Sequence, residues 1–200
     1  MNNSEGLWKA DAGENRGDQS PAGLTDACSA QLWRAEWERR RIAPLSSAHP
    51  RLSEDDIYAI AARTFQRRDR QKIGFKLGYT SAEMRAQMGI NDPNFGVLTK
   101  DLLVSERTGR VDSENLFHPL IEPEITLRVG RDVHGPDQTR VSISYAVVSA
   151  IASLEIVHTR YQSYCFSAVD NIADNSSSAR VVLGRLDHSG RSMTCACAPC

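Results

Sequence analysis

The sequence predicts an α+β fold, with N-terminal helices followed by a mixed, β-rich core. Three observations carry this. Apolar residues recur at helical spacing between residues 26 and 65, apolar and small or polar residues alternate over Lys72–Tyr79, and alternation returns over Leu120–Val129. These patterns divide the chain into a polar leader (1–24), a helical region (25–70), a β-rich region (71–184) and an unpatterned tail (185–200).

Residues 1–24 are rich in Gly, Asn, Ser and Asp without a period, the composition of a disordered leader. A helix is expected from Asp26 to Arg41, with Leu32, Trp33 and Trp37 on one stripe, ended by Pro44. Ser53 and Asp56 form a capping-box pair before Ile57, Ile60, Ala61, Thr64 and Phe65, which marks a second helix. On the strand Lys72–Tyr79, Ile73, Phe75 and Leu77 share one face while Gly74, Lys76 and Gly78 share the other. A short helix capped by Thr80 and stopped by Gly89 follows, then a turn at Asn91–Asn94 and a brief strand Phe95–Leu98. Residues 105–115 read as a polar loop or hairpin. Leu120–Val129 reads as a strand, with Ile121, Ile125, Leu127 and Val129 inward. Ser142–Val157 fits an amphipathic helix with Ile143, Val147, Ala150, Ile151 and Leu154 inward, Asp170–Ser178 a polar loop, and Arg180–Leu183 a last strand.

The chain has 200 residues, one domain's worth or two at most, with 24 Lys and Arg against 25 Asp and Glu. A net charge of −1 excludes a strongly basic nucleic-acid binder. No run approaches the roughly 18 apolar residues of a membrane span. The N-terminus lacks the apolar stretch of a secretory signal, so the expected location is the cytoplasm with no membrane partner. Five cysteines do not suggest a disulfide framework, and Cys195, Cys197 and Cys200 fall short of a four-ligand zinc set.

Three places carry possible chemistry. Glu122 and Glu124, two apart on a strand, project side by side and repel unless a cation lies between them; oxygen-only ligands favour Mg²⁺ or Mn²⁺. On spacing alone, the solvated face of an edge strand explains the pair more simply, with Pro123 tolerated there. Glu155, one helical turn past Ile151, reads either as a buried carboxylate in need of a partner or as a surface residue at a helix end. Lys76 lies between Gly74 and Gly78, which leave its face of the strand bare. That suits an anionic substrate group or a proton-transfer role.

In order along the chain come Ile73–Ser81 (IGFKLGYTS), Met88–Ile90 (MGI), Pro93–Leu98 (PNFGVL), His118–Ile125 (HPLIEPEI), Leu154–Val157 (LEIV) and Asp170–Ser176 (DNIADNS). Together they resemble the 2-keto-4-pentenoate hydratase and 2-oxo-3-hexenedioate decarboxylase group of the fumarylacetoacetate hydrolase superfamily, from about the first helix, Arg41–Leu45 included, to Gly184. The resemblance implies a fumarylacetoacetate-hydrolase-like core over 71–184 and a divalent ion, Mg²⁺ or Mn²⁺, on Glu122, Glu124 and Glu155. It further implies a 2-oxo or 2-hydroxydienoic acid substrate from aromatic meta-cleavage, and a homo-oligomer if the core is complete.

It implies that Lys76 binds the substrate carboxylate or relays a proton, that Asp174 belongs to the catalytic set, and that Ser176 lines the pocket loop. Asn94 joins the substrate-binding set, although it stands where some hydratases carry an aspartate and an amide is no general base. The implied reaction is hydration of 2-hydroxypenta-2,4-dienoate to 4-hydroxy-2-oxopentanoate. The alternatives are 4-oxalocrotonate decarboxylation or a non-catalytic remnant. Family members continue through further strands beyond the Gly184 point, so the resemblance also implies a truncated or frame-shifted chain.

Overall fold

The computed structural model describes residues 21–88, 90–104 and 109–184. The expected leader over 1–24 lies outside the described residues except at 21–24, which are corrected to the first turn of a helix; the stop at Gly89 and the Cys-rich tail also lie outside the described residues.

Three helices come first: α1 (Pro21–Trp37), the single turn α2 (Leu45–Ala48) and α3 (Glu54–Arg68). The Ser53–Asp56 capping box forms as expected, and Asp69 ends α3 in a left-handed conformation. The stripe on α3 is the expected one, with Ile57 and Ile60 fully buried. On α1 the inward residues are Cys28, Leu32 and Ala35, while Trp37 is 79% exposed. The tryptophan stripe is therefore corrected: Trp37 stacks on Trp33 at the surface. Cys28, Leu32, Leu45, Ile57 and Ile60 meet Tyr161, Ile172 and Ala173 in one apolar cluster that joins the helices to the second half of the chain.

Strand β1 (Lys72–Gly78) pairs antiparallel with β2 (Asn94–Thr99), and between them lies α4 (Ala82–Met88). The cap of α4 is Ser81, whose hydroxyl accepts from the Met84 amide at 3.0 Å, rather than Thr80. A second antiparallel sheet has the order β3–β4–β5, with β3 Leu120–Val129, β4 Val147–Val157 and β5 Ser178–Leu183. The short helix α5 (Arg140–Ser144) precedes β4, and α6 (Ala168–Ala173) precedes β5.

Two expectations are overturned here. Residues 142–157 are not one helix: α5 ends at Ser144, a turn follows, and Val147–Val157 is an eleven-residue strand. Its β-branched residues Val147, Val148, Ile151, Ile156 and Val157 fit a pleated surface, and cross-strand partners on both sides decide the outcome. Residues 170–178 are not an open polar loop either. They form α6 and a 3₁₀ turn (Asn175–Ser177), with Asp170, Asn171, Asp174, Ser176, Ser177 and Ser178 all buried.

Strand β3 has the expected bounds, but its apolar face is not buried among the described residues. Ile121 is 66% exposed, Ile125 67% and Leu127 53%. Among the described residues, no helix is long and apolar enough to cross a membrane.

Candidate metal centre

The β3–β4 register sets Glu122 directly opposite Glu155 and Glu124 opposite Ser153. Residues opposite one another across a ladder share a face, and so do residues two apart on one strand. All three carboxylates therefore project from the same side of the sheet. One oxygen from each lies within 4.8 Å of the other two, with Glu122 and Glu124 exposed and Glu155 buried.

Like charges directly opposite in a sheet are destabilising. The balancing charge here is Lys76, whose Nζ lies 3.1 Å from Glu155 Oε2. Ser178 Oγ donates to Glu155 Oε1 at 2.7 Å. Burial nevertheless pushes the Glu155 carboxyl above its ordinary value, against the pull of Lys76 and Ser178. The donor set fits a hard divalent cation. It is all oxygen and under-neutralised, the donor chemistry that hard divalent ions take.

Lys76 lies in a built wall. Its Nζ donates to the Ser176 carbonyl at 2.8 Å. Ser176 Oγ donates to Asn94 Oδ1 at 3.0 Å, Asn94 Nδ2 to Asn171 Oδ1 at 2.9 Å, and Asn171 Nδ2 to Ser177 Oγ at 2.9 Å. Gly78 admits this chain of bonds, because a Cβ there would stand 2.2 Å from Asn94 Oδ1 and 2.7 Å from Ser176 Oγ. The bare face expected beside Lys76 is thus filled by the Ser176 turn at Gly78, whereas Gly74 has open space.

A cavity of about 560 Å³ opens before this wall, with Lys76, Tyr79, Glu122, Glu124, Tyr164 and Ser176 on its surface. Burial and the charge of Glu122 push both phenols up, Tyr164 to about 12, so both stay protonated at neutral pH, and the Tyr164 hydroxyl donates to the His118 carbonyl at 3.1 Å. Asn94 does not face the cavity; it sits behind Ser176 and holds its hydroxyl.

Asp174 is not brought to the cluster. Its carboxylate accepts from Thr159 Oγ1 and the Arg160 amide, each at 3.0 Å, and pairs closely with the Arg160 guanidinium. Arg160 also reaches His158 Nε2 at 2.9 Å. The imidazole lies between that donor and the Phe117 amide. Burial, reinforced by the Arg160 charge, lowers its pKa to about 2, so His158 is neutral.

Nothing local in the sequence marks Ser178, Asn171, Tyr79 and Tyr164 as site residues. Ser178 carries a usable signal only once β5 is paired with β4, because the strand ladder is what brings it to Glu155.

No family model matches the chain. It is 34% identical over 163 residues to "2-keto-4-pentenoate hydratase 1" of Dechloromonas aromatica (strain RCB), covering 80% of this chain and 62% of that protein. It is 32% identical over 164 residues to "2-hydroxypent-2,4-dienoate hydratase" of Pseudomonas putida, covering 80% of this chain and 74% of that protein. Among solved structures, 4-oxalocrotonate decarboxylase from Pseudomonas putida G7, complexed with magnesium and adipate, superposes with a TM-score of 0.76 at 29% identity. That match covers 80% of this chain and 62% of the other. The chain thus spans a little under two thirds of the length of the Dechloromonas relative. With the register, the acidic cluster and these likenesses together, the chain belongs to the family of 2-keto-4-pentenoate hydratases and 4-oxalocrotonate decarboxylases.

Proposed function

We propose that this chain carries the metal site of a hydro-lyase that adds water to 2-hydroxypenta-2,4-dienoate, giving 4-hydroxy-2-oxopentanoate, on a fumarylacetoacetate-hydrolase-like core. The observation that supports it best is the convergence of Glu122, Glu124 and Glu155 within 4.8 Å beside the cavity. These three would hold Mg²⁺ or Mn²⁺. A bound ion supplies Lewis acidity toward the substrate's 2-oxygen and carboxylate.

Lys76 has three N–H donors, of which the Ser176 carbonyl takes one and Glu155 another. The third has no partner among the described residues, and it serves the substrate carboxylate or a proton on its way to C5 as the dienol ketonises, before water adds at C4. Tyr79 presents a protonated hydroxyl, the Tyr164 hydroxyl donates to the His118 carbonyl at 3.1 Å, and Ser176 lines the pocket loop. Asn94 acts in substrate binding by fixing Ser176, not by contact. Asp174 serves catalysis at one remove, by holding Arg160 and the turn that carries Ser176. By the same family reading, the protein is a cytoplasmic homo-oligomer with a small-molecule partner.

The second reading, 4-oxalocrotonate decarboxylation, is favoured by the magnesium- and adipate-bound decarboxylase structure that this fold matches. The deciding experiment follows loss of 2-hydroxypenta-2,4-dienoate absorbance with Mg²⁺ or Mn²⁺ and with chelator, alongside the same assay on 4-oxalocrotonate. Metal-dependent turnover of the dienoate supports the hydratase, and turnover of 4-oxalocrotonate alone supports the decarboxylase. Turnover of both that is indifferent to chelation contradicts the metal site.

A further inference from the structure

The chain leaves α6 through three consecutive residues with left-handed backbones, Asn175, Ser176 and Ser177, at φ of 54°, 52° and 57°. None is glycine. L-residues adopt this conformation singly and at a cost, so three in a row persist only where the surroundings over-determine them.

The surroundings do so here. The Asn175 carboxamide pairs with Val97 as another strand would: the Val97 amide donates to Oδ1 at 2.7 Å, and Nδ2 donates to the Val97 carbonyl at 2.9 Å. Gly96 lets the turn approach β2, since a Cβ there would lie 2.5 Å from the Asn175 carbonyl oxygen. Asn94 holds Ser176 by its hydroxyl, the His158 amide holds the Ser177 carbonyl at 2.9 Å, and Arg160 holds the Asp174 carbonyl at 2.7 Å. A right-handed continuation of α6 would point the Ser176 carbonyl along the helix axis. The left-handed turn instead aims it at Lys76.

We propose that the Asn175–Ser177 turn, locked onto β2 by Asn175, is the positioning device for Lys76. It fixes the ammonium between the Ser176 carbonyl and Glu155, with Asn175 as the positioning residue. The importance of this for catalysis rests on the site reading above, but its test does not.

The full chain is treated with N-hydroxysuccinimidyl acetate, and acetylation is read peptide by peptide by mass spectrometry. The quantity is the rate at Lys76 relative to Lys72 and Lys100, which are exposed. Asn175→Gly keeps a residue that tolerates positive φ but removes both bonds to Val97. Two lost hydrogen bonds correspond to roughly a tenfold or greater rise in that ratio through local opening. Asn175→Asp, which keeps an acceptor for the Val97 amide, should fall between Asn175→Gly and the unsubstituted chain. Ile60→Val, a core substitution away from the turn, should leave the ratio unchanged.

An Asn175→Gly ratio equal to that of the unsubstituted chain overturns the proposal, and so does an equal rise in Ile60→Val. If Asn175→Gly does not fold, Asn175→Asp decides by the same criterion. Mn²⁺ binding measured alongside reports on the metal reading alone, because the acetylation ratio is taken without metal.

Discussion

Glu36, Asp101 and Asp174 face Arg68 and Arg160 beneath the helices, whereas Glu122, Glu124 and Glu155 face the single ammonium of Lys76 beside a cavity. In the first region the charges close on one another. Arg68 spans Glu36 at 2.6 Å and Asp101 at 3.1 Å, and Arg160 is bound to Asp174. In the second, Glu155 alone meets the Lys76 ammonium, at 3.1 Å, and the two carboxylates clustered with it are open to solvent. The difference separates structure from chemistry. Charges closed on their partners hold elements together, while charges gathered without enough partners beside a cavity are arranged for something that arrives from outside.

Breaking the closed region should cost most. Arg160→Met leaves Asp174 buried without its cation, and stability in urea denaturation should fall by about 3–5 kcal/mol. Adding Asp174→Leu to it should recover much of that loss.

Acid should act on the same region. Folded His158 stays neutral down to about pH 2, while an unfolded imidazole takes a proton below about 6.5. Its contribution is therefore intact above about pH 6.5 and declines as pH falls, by about 1.4 kcal/mol per unit. Denaturation midpoints between pH 7 and 5 check the slope, which His158→Gln should flatten.

A surface cap calibrates the scale. Ser53→Ala removes the capping box of α3 and should cost about 1 kcal/mol in thermal unfolding without touching the acidic cluster. Smallest of all should be the open region itself. Glu122→Gln with Glu124→Gln removes repulsion at exposed positions, so the metal-free protein should change by no more than about 0.5 kcal/mol, with an increase favoured. A loss comparable to that of Arg160→Met would erase the distinction between the regions.

Local rules made part of this readable in the sequence. The Ser53–Asp56 cap and the 3.6-residue stripe of α3 are local signals, as is the two-residue period that places Glu122 beside Glu124. Glu155 is a candidate from the sequence, but helical spacing sets it on a helix. Ile143, Val147, Ala150, Ile151 and Leu154 satisfy helical spacing, and only the ladders with β3 and β5 decide for a strand. Asp174 and its neighbours read as a loop because Asp, Asn and Ser favour turns. Their burial depends on Arg160, Asn94 and Val97, which are distant in sequence. The partner of a buried polar group is a tertiary fact, and it decides whether a carboxylate serves the fold or the site.

The central claim, that Glu122, Glu124 and Glu155 form one divalent-metal site, is tested most directly by Mn²⁺ titration of the folded, metal-free chain followed by electron paramagnetic resonance. The expected result is one ion per chain, with affinity reduced at least about tenfold in Glu124→Gln while its unfolding midpoint is kept. Equal affinity in Glu124→Gln, or no binding by the folded unsubstituted chain, would contradict it.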